Sequence, residues 1–151
     1  MVETRSERMQ VVLMLANRKE NEAAQRLSQF QTQVAAEEEQ LRQLDEYANQ
    51  YLQTYAERTQ NVRADELISY SGFIQRLAAA RKDQELRLES LYHSREKLRQ
   101  QWRENHHKRN SIEELIARLK IEENNQFEKR LQKDADELVG QQYARNQPAE
   151  D

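Results

Sequence analysis

The chain has 151 residues, 36% hydrophobic and 34% charged, with a net charge of -3, two glycines, one proline and no cysteine. Globular domains run nearer half apolar and a quarter charged, so this composition argues against a large three-dimensional core. Disulfide and thiolate chemistry are excluded, which fits a reducing compartment. The mean hydropathy is -1.16, and the longest apolar run, VVLMLA at 11–16, is too short to span a bilayer. The residues before it, ETRSERMQ, mix acids and bases and do not read as a signal peptide. A cytosolic, soluble chain is expected, peripheral to a membrane through partners. Scarcity of Gly and Pro, with abundant Ala, Glu, Gln, Arg, Lys and Leu, predicts long helices rather than disorder.

From Met9, alternate steps of four and three reach Leu13, Ala16, Glu20, Ala23, Leu27, Phe30, Val34, Glu37, Leu41, Leu44, Ala48, Tyr51 and Tyr55. All but the two glutamates are apolar or aromatic. Such a 3.5-residue repeat is the signature of a left-handed coiled coil. It predicts a first helix over about 6–58, roughly 80 Å long. The rhythm breaks at ERTQNVRAD. It resumes at Leu67, Tyr70, Ile74 and Leu77 and continues through Arg81, Gln84, Leu88, Leu91, Arg95, Leu98, Trp102, Asn105 and Arg109 to Ile112, Ile116 and Leu119. A second helix is predicted over about 65–139, roughly 110 Å long, with Asp65 as N-cap or in the first turn. A start after Gly72 is the alternative.

The expected fold is therefore all-α: a single long antiparallel two-helix coiled-coil hairpin over residues 1–151, with a frayed polar tail at 140–151. A turn centred near residue 62 makes facing residue numbers sum to about 124. Glu37 then faces Arg87, and the region of Ser6 faces that of Arg118. The last twenty or so residues of the second helix overhang, carrying Phe127, Leu131 and Leu138 on a shifted face. They call for another protein or a second copy.

No catalytic constellation is present. Adjacent His106 and His107 diverge by about 100° on a helix, and His93 stands apart, so no metal site is expected. With glycines only at 72 and 140 there is no phosphate-binding loop. Residues 91–111 carry six basic and two acidic side chains. In a chain acidic overall this reads as a solvated helix face, and nucleic acid is not expected as a partner. No enzyme activity, cofactor or small-molecule substrate is expected.

The informative feature is a strip beside the seam. The pairing rule sets Gln40 opposite Gln84, Leu44 opposite Ala80, Tyr47 opposite Leu77 and Tyr51 opposite Phe73. Two helices cannot bury both sides of their seam, so aromatic residues here form a candidate binding patch.

The segments QLRQLDEYANQY (40–51), ISYSGFIQRLAAA (68–80) and MQVVLMLANRKENEAAQRL (9–27) resemble the FliJ family of flagellar type III export proteins. The resemblance implies a non-enzymatic stalk, similar to the central stalk of rotary ATPases. It implies a place in the pore of the hexameric flagellar export ATPase, reach toward the cytoplasmic domain of the export gate, and contact with export chaperones. The setting would be the inner face of the cell membrane at the flagellar base, serving motility and chemotaxis. The implied gate-binding patch is Gln40, Leu44, Tyr47, Tyr51, Phe73, Leu77 and Ala80, with Gln84 where the family pattern suggests histidine. In such a stalk, ATPase contacts would fall on Arg8, Arg18, Lys19, Arg118, Lys120, Arg130 and Lys133. The rival readings are the equivalent stalk of a virulence injectisome and a structural coiled-coil scaffold.

Overall fold

A computed structural model describes residues 2–58 and 63–147. Two helices pack against each other as an all-α hairpin: α1, Arg5–Arg58, and α2, Ala64–Asn146. Among the described residues there is no strand. The expected turn centre near residue 62 lies outside them. Contacts group into two units, residues 1–20 with 105–151 and residues 21–104, and both helices contribute to each.

Local chemistry explains where the helices begin. Thr4 and Glu7 form a capping box: the Thr4 hydroxyl accepts from the Glu7 amide at 3.3 Å, and the Glu7 carboxylate accepts from the Thr4 amide at 3.2 Å. Two otherwise orphaned donors are thereby satisfied. A third is satisfied by α2, since Glu123 accepts from the Ser6 amide at 2.9 Å and the Ser6 hydroxyl at 2.6 Å. These bonds, led by the Ser6 hydroxyl, hold the Glu123 carboxyl below its ordinary range. The start of α2 places Asp65 and Glu66 in the first turn, where their charge suits the helix dipole.

Gly72 lies inside α2, so the helix begins ahead of it, as the continued repeat implies. Gly140 also lies inside α2, which runs on to Asn146 rather than ending near Val139. A single interior glycine costs only about 1 kcal/mol, which a long helix tolerates.

All fourteen α1 positions of the 3.5-residue repeat, Met9 through Tyr55, are buried or half-buried. The deepest apolar residues are Ala16, Ala23 and Val34 of α1 and Leu88, Ile116 and Leu119 of α2. In α2 the repeat departs from burial at Leu67 and Arg81. Arg81 turns outward because it meets Asp45, with Nε 2.8 Å from Oδ1. This is a charge contact in which the N–H does not align with the oxygen, which makes no hydrogen bond.

Polar residues on the seam set the pairing. In residues 21–104, Glu37 meets Arg87 at 3.1 Å, as the pairing rule expects. Gln84 donates to the Glu37 carboxylate at 2.6 Å and to its carbonyl at 3.1 Å, instead of facing Gln40 one turn away. A long amide reaches a carboxylate in preference to another amide because charge-assisted bonds are stronger. In the other unit Ser6 meets Glu123 rather than Arg118. Carboxylate contacts fix the register there beside the buried Ala16, Ile116 and Leu119, as polar seam residues do in coiled coils. From Asn124 to Gln147 every residue is exposed, as the overhang requires.

Candidate interaction surfaces

Within residues 21–104 the strip expected from the pairing rule takes shape around stacked rings. Tyr51 packs against Phe73 with centroids 4.3 Å apart and against Tyr70 at 4.5 Å, 9° from parallel. Tyr70 also stacks on Tyr55 at 3.7 Å. Its hydroxyl donates to the Tyr51 carbonyl oxygen. Burial, followed by the neighbouring Tyr51 and Tyr55, pushes the Tyr70 hydroxyl above its ordinary pKa, so it remains a donor. Tyr47 leans on this cluster, 6.2 Å from Phe73 edge-on and 6.4 Å from Tyr51, yet stays 51% exposed. A ring so held loses little freedom when a partner covers it.

Gln40, Leu44, Tyr47, Ala80 and Gln84 line one groove, rimmed by Gln43, Asp83 and Arg87. Tyr51 and Phe73 line a second, with Tyr55 and Tyr70. Leu77 lies elsewhere, with Leu44, Ala48, Leu52 and Ile74 in a third. The expected patch is thus continuous through its aromatic cluster, but Leu77 opens onto different neighbours. The pairing rule overlooked Tyr55 and Tyr70. Both stand on the heptad seam, Tyr55 next to Tyr51 before the break and Tyr70 between Leu67 and Ile74 after it. Arg87 at the groove rim was expected only as the partner of Glu37.

The other unit has a different character. The seven expected basic contact residues, Arg8, Arg18, Lys19, Arg118, Lys120, Arg130 and Lys133, are all exposed. In the same unit the seam carboxylate Glu20 accepts from Arg109 Nε, and its Oε1 lies 2.8 Å from His106 Nδ1. Arg109 also meets Glu113 at 2.8 Å. Partial burial raises the Glu20 pKa, but the hydrogen bonds and charges of His106 and Arg109 outweigh it and hold the carboxyl below its ordinary value. His106 is therefore committed to the seam. Among the described residues no group of three His, Asp, Glu or Cys could hold a metal ion, and no helix is long and apolar enough to cross a membrane.

Comparison with known families now decides identity. A family model described as "Flagellar FliJ protein" matches residues 5–148. The chain belongs to the FliJ family. No curated protein and no solved structure gives a significant match. The resemblance read from the aromatic segments is therefore borne out at family level, and this FliJ-family chain is a flagellar export-related component. The all-α hairpin fits that membership.

Proposed function

We propose that this FliJ-family chain is a non-enzymatic stalk that couples the hexameric export ATPase to the cytoplasmic domain of the export gate. The observation that carries the reading is Tyr47, half-exposed yet braced by Tyr51 and Phe73. Partially buried aromatic anchors beside a polar rim are the usual energetic centre of a protein interface. Gln40, Leu44, Ala80 and Gln84 extend that patch along the groove, and the gate's cytoplasmic domain is its assigned partner. Leu77, in the adjoining groove, contributes from the far side of Leu44.

The ATPase pore is assigned to Arg8, Arg18, Lys19, Arg118, Lys120, Arg130 and Lys133. Long exposed cations suit a ring of subunits, since Coulomb attraction tolerates imperfect register better than packed knobs do. Export chaperones are the third class of partner. The protein works at the cytoplasmic face of the cell membrane, in flagellar biogenesis and hence motility.

The test is a pull-down with the export ATPase and the gate's cytoplasmic domain. Tyr47→Ala with Phe73→Ala is expected to lower gate capture at least tenfold, about 1.4 kcal/mol, and to leave ATPase capture intact. Reversing the charge of Arg118, Arg130 and Lys133 together is expected to do the opposite. Gate capture that survives the aromatic double substitution would remove the patch from the interface.

A further inference from the structure

Five rings from both helices form one chain across the seam: Tyr55, Tyr70, Tyr51, Phe73 and Tyr47, with successive centroids 3.7, 4.5, 4.3 and 6.2 Å apart. The order alternates between α1 and α2, so each ring is held by rings of the other helix. Tyr47 is the exposed end of this chain. Tyr70 stands near the opposite end, and the groove that holds Gln40, Leu44, Tyr47, Ala80 and Gln84 is lined without it. Tyr70 packs on Tyr51 9° from parallel, whereas Phe73 meets the same ring at 48°. Tyr51 is therefore packed from two directions, and either one alone would leave it room to tilt.

The Tyr70 hydroxyl adds a second constraint, since it donates to the Tyr51 carbonyl oxygen. That bond ends on the main chain, so it fixes α1 itself along α2 and not only one side chain. Tyr47 lies one turn before Tyr51 on α1, and Phe73 lies one turn after Tyr70 on α2. Setting Tyr51 against Tyr70 thus sets how Tyr47 meets Phe73. A ring fixed in place before binding has less freedom left to lose when a partner arrives.

We propose that Tyr70 is a positioning residue for the gate-binding surface: without touching the gate, it holds Tyr51, and through Tyr51 and Phe73 the exposed Tyr47, in the orientation that binds. This rests on the assignment of the Tyr47 patch to the gate's cytoplasmic domain. The ring of Tyr70 supplies the stack and its hydroxyl supplies the register, so the two contributions are separable.

The experiment is titration calorimetry of the full chain with the gate's cytoplasmic domain. Tyr70→Phe keeps the ring and drops the hydroxyl, and is expected to weaken binding about threefold. Tyr70→Ala removes both and is expected to weaken it about tenfold. Helix content by circular dichroism and capture of the ATPase should be unchanged in Tyr70→Phe. The deciding comparison is a double-mutant cycle. A residue that acts through Tyr47 has nothing to position once that ring is gone, so Tyr70→Phe should cost little further in a Tyr47→Ala chain. In the free chain, the ring-proton resonances of Tyr47 should move when Tyr70 becomes phenylalanine. Wild-type affinity in both Tyr70 variants, alongside weakened binding by Tyr47→Ala, overturns the proposal and leaves the gate assignment standing. Equal losses from Tyr70→Phe with and without Tyr47 also overturn it, because Tyr70 then touches the gate or acts on the whole fold. So do Tyr47 resonances that ignore the substitution. Full affinity in the Tyr47→Ala chain removes the gate assignment itself, and the proposal with it.

Discussion

The two units solve the same problem, holding two polar helices together, with different chemistry. Residues 21–104 use rings: Tyr51 is stacked on Tyr70 and tilted against Phe73, and Tyr55 lies against Tyr70. Residues 1–20 with 105–151 use carboxylates: Glu20 with Arg109 and His106, and Glu123 with Ser6. Ring stacking is indifferent to salt and acid. Carboxylate pairing depends on both, and its desolvation cost offsets much of its gain. Both seams also bury apolar residues, and residues 21–104 carry the Glu37–Arg87 pair, so the difference is one of emphasis: a ring cluster in one unit, more carboxylate contacts in the other.

The largest effect is expected in the ringed unit. Tyr51→Ala removes contacts with three aromatic neighbours at a half-buried site and should lower unfolding stability by about 2–3 kcal/mol, measured by urea titration. That deficit should be constant from pH 3 to 7, as no carboxylate is involved. A deficit that vanished in acid would mean the rings are held by something else.

A smaller and pH-dependent effect is expected from the charged unit. Arg109→Leu leaves a carboxylate whose side chain is only 14% exposed with His106 as its remaining partner and should cost about 1–2 kcal/mol at neutral pH. Glu20→Leu with Arg109→Leu should recover most of that loss, since the partly buried seam carboxylate is then gone and Glu113, which also meets Arg109, is 48% exposed and solvated. The sign follows from the pKa of Glu20, which lies below the ordinary value of 4.5. The stabilisation from the carboxylate is complete above that value and disappears as pH falls through the folded-state pKa. The difference between the wild type and Glu20→Gln should therefore close on acidification below about pH 4.5. If it persisted at pH 2, the ionised carboxylate would not be its source.

The smallest effect should be a gain. A Cβ at Gly72 would meet nothing within 4 Å, and the position is helical, so Gly72→Ala should add about 0.5–1 kcal/mol through lost chain entropy in the unfolded state. Thermal unfolding would show it as a modest rise in midpoint. A fall would mean that the glycine is needed at a bend.

Much of this was legible because a coiled coil writes its core into a one-dimensional repeat. Every α1 seam position read from Met9 to Tyr55 is at least half-buried, and the Glu37–Arg87 and Tyr51–Phe73 pairings follow from one assumed turn centre. Misreadings arose where polar side chains override the repeat. Arg81 sits on the seam by spacing, but its guanidinium is drawn out to Asp45. Gln84 reaches to Glu37 rather than Gln40. Ser6 lies opposite Glu123, further along α2 than a constant pairing rule allows. Long flexible polar groups choose partners by charge over several ångströms, and spacing alone does not encode that choice. The Thr4–Glu7 capping box is written in the sequence as T-x-x-E, ahead of the apolar repeat and outside its spacing. For the interaction patch, spacing assembled Tyr47, Tyr51 and Phe73 correctly but could not tell which side of Leu44 holds Leu77.

The hydrogen bond from Tyr70 to Tyr51 joins residues 19 apart, while that from Ser6 to Glu123 joins residues 117 apart. Closing the longer loop in an unfolded chain costs about 1.6 kcal/mol more entropy than closing the shorter. The aromatic contacts are thus the cheapest long-range contacts to make first, and each one shortens the loop that the next must close. Folding is expected to zip outward from the tyrosines, with the Ser6 end joining last. Substitutions at Tyr51 and Tyr70 should then slow folding, and substitutions at Leu119 should mainly speed unfolding; the reverse pattern in stopped-flow kinetics would refute that order. The same rings that present a surface to a partner would then also be the place where the hairpin begins to exist.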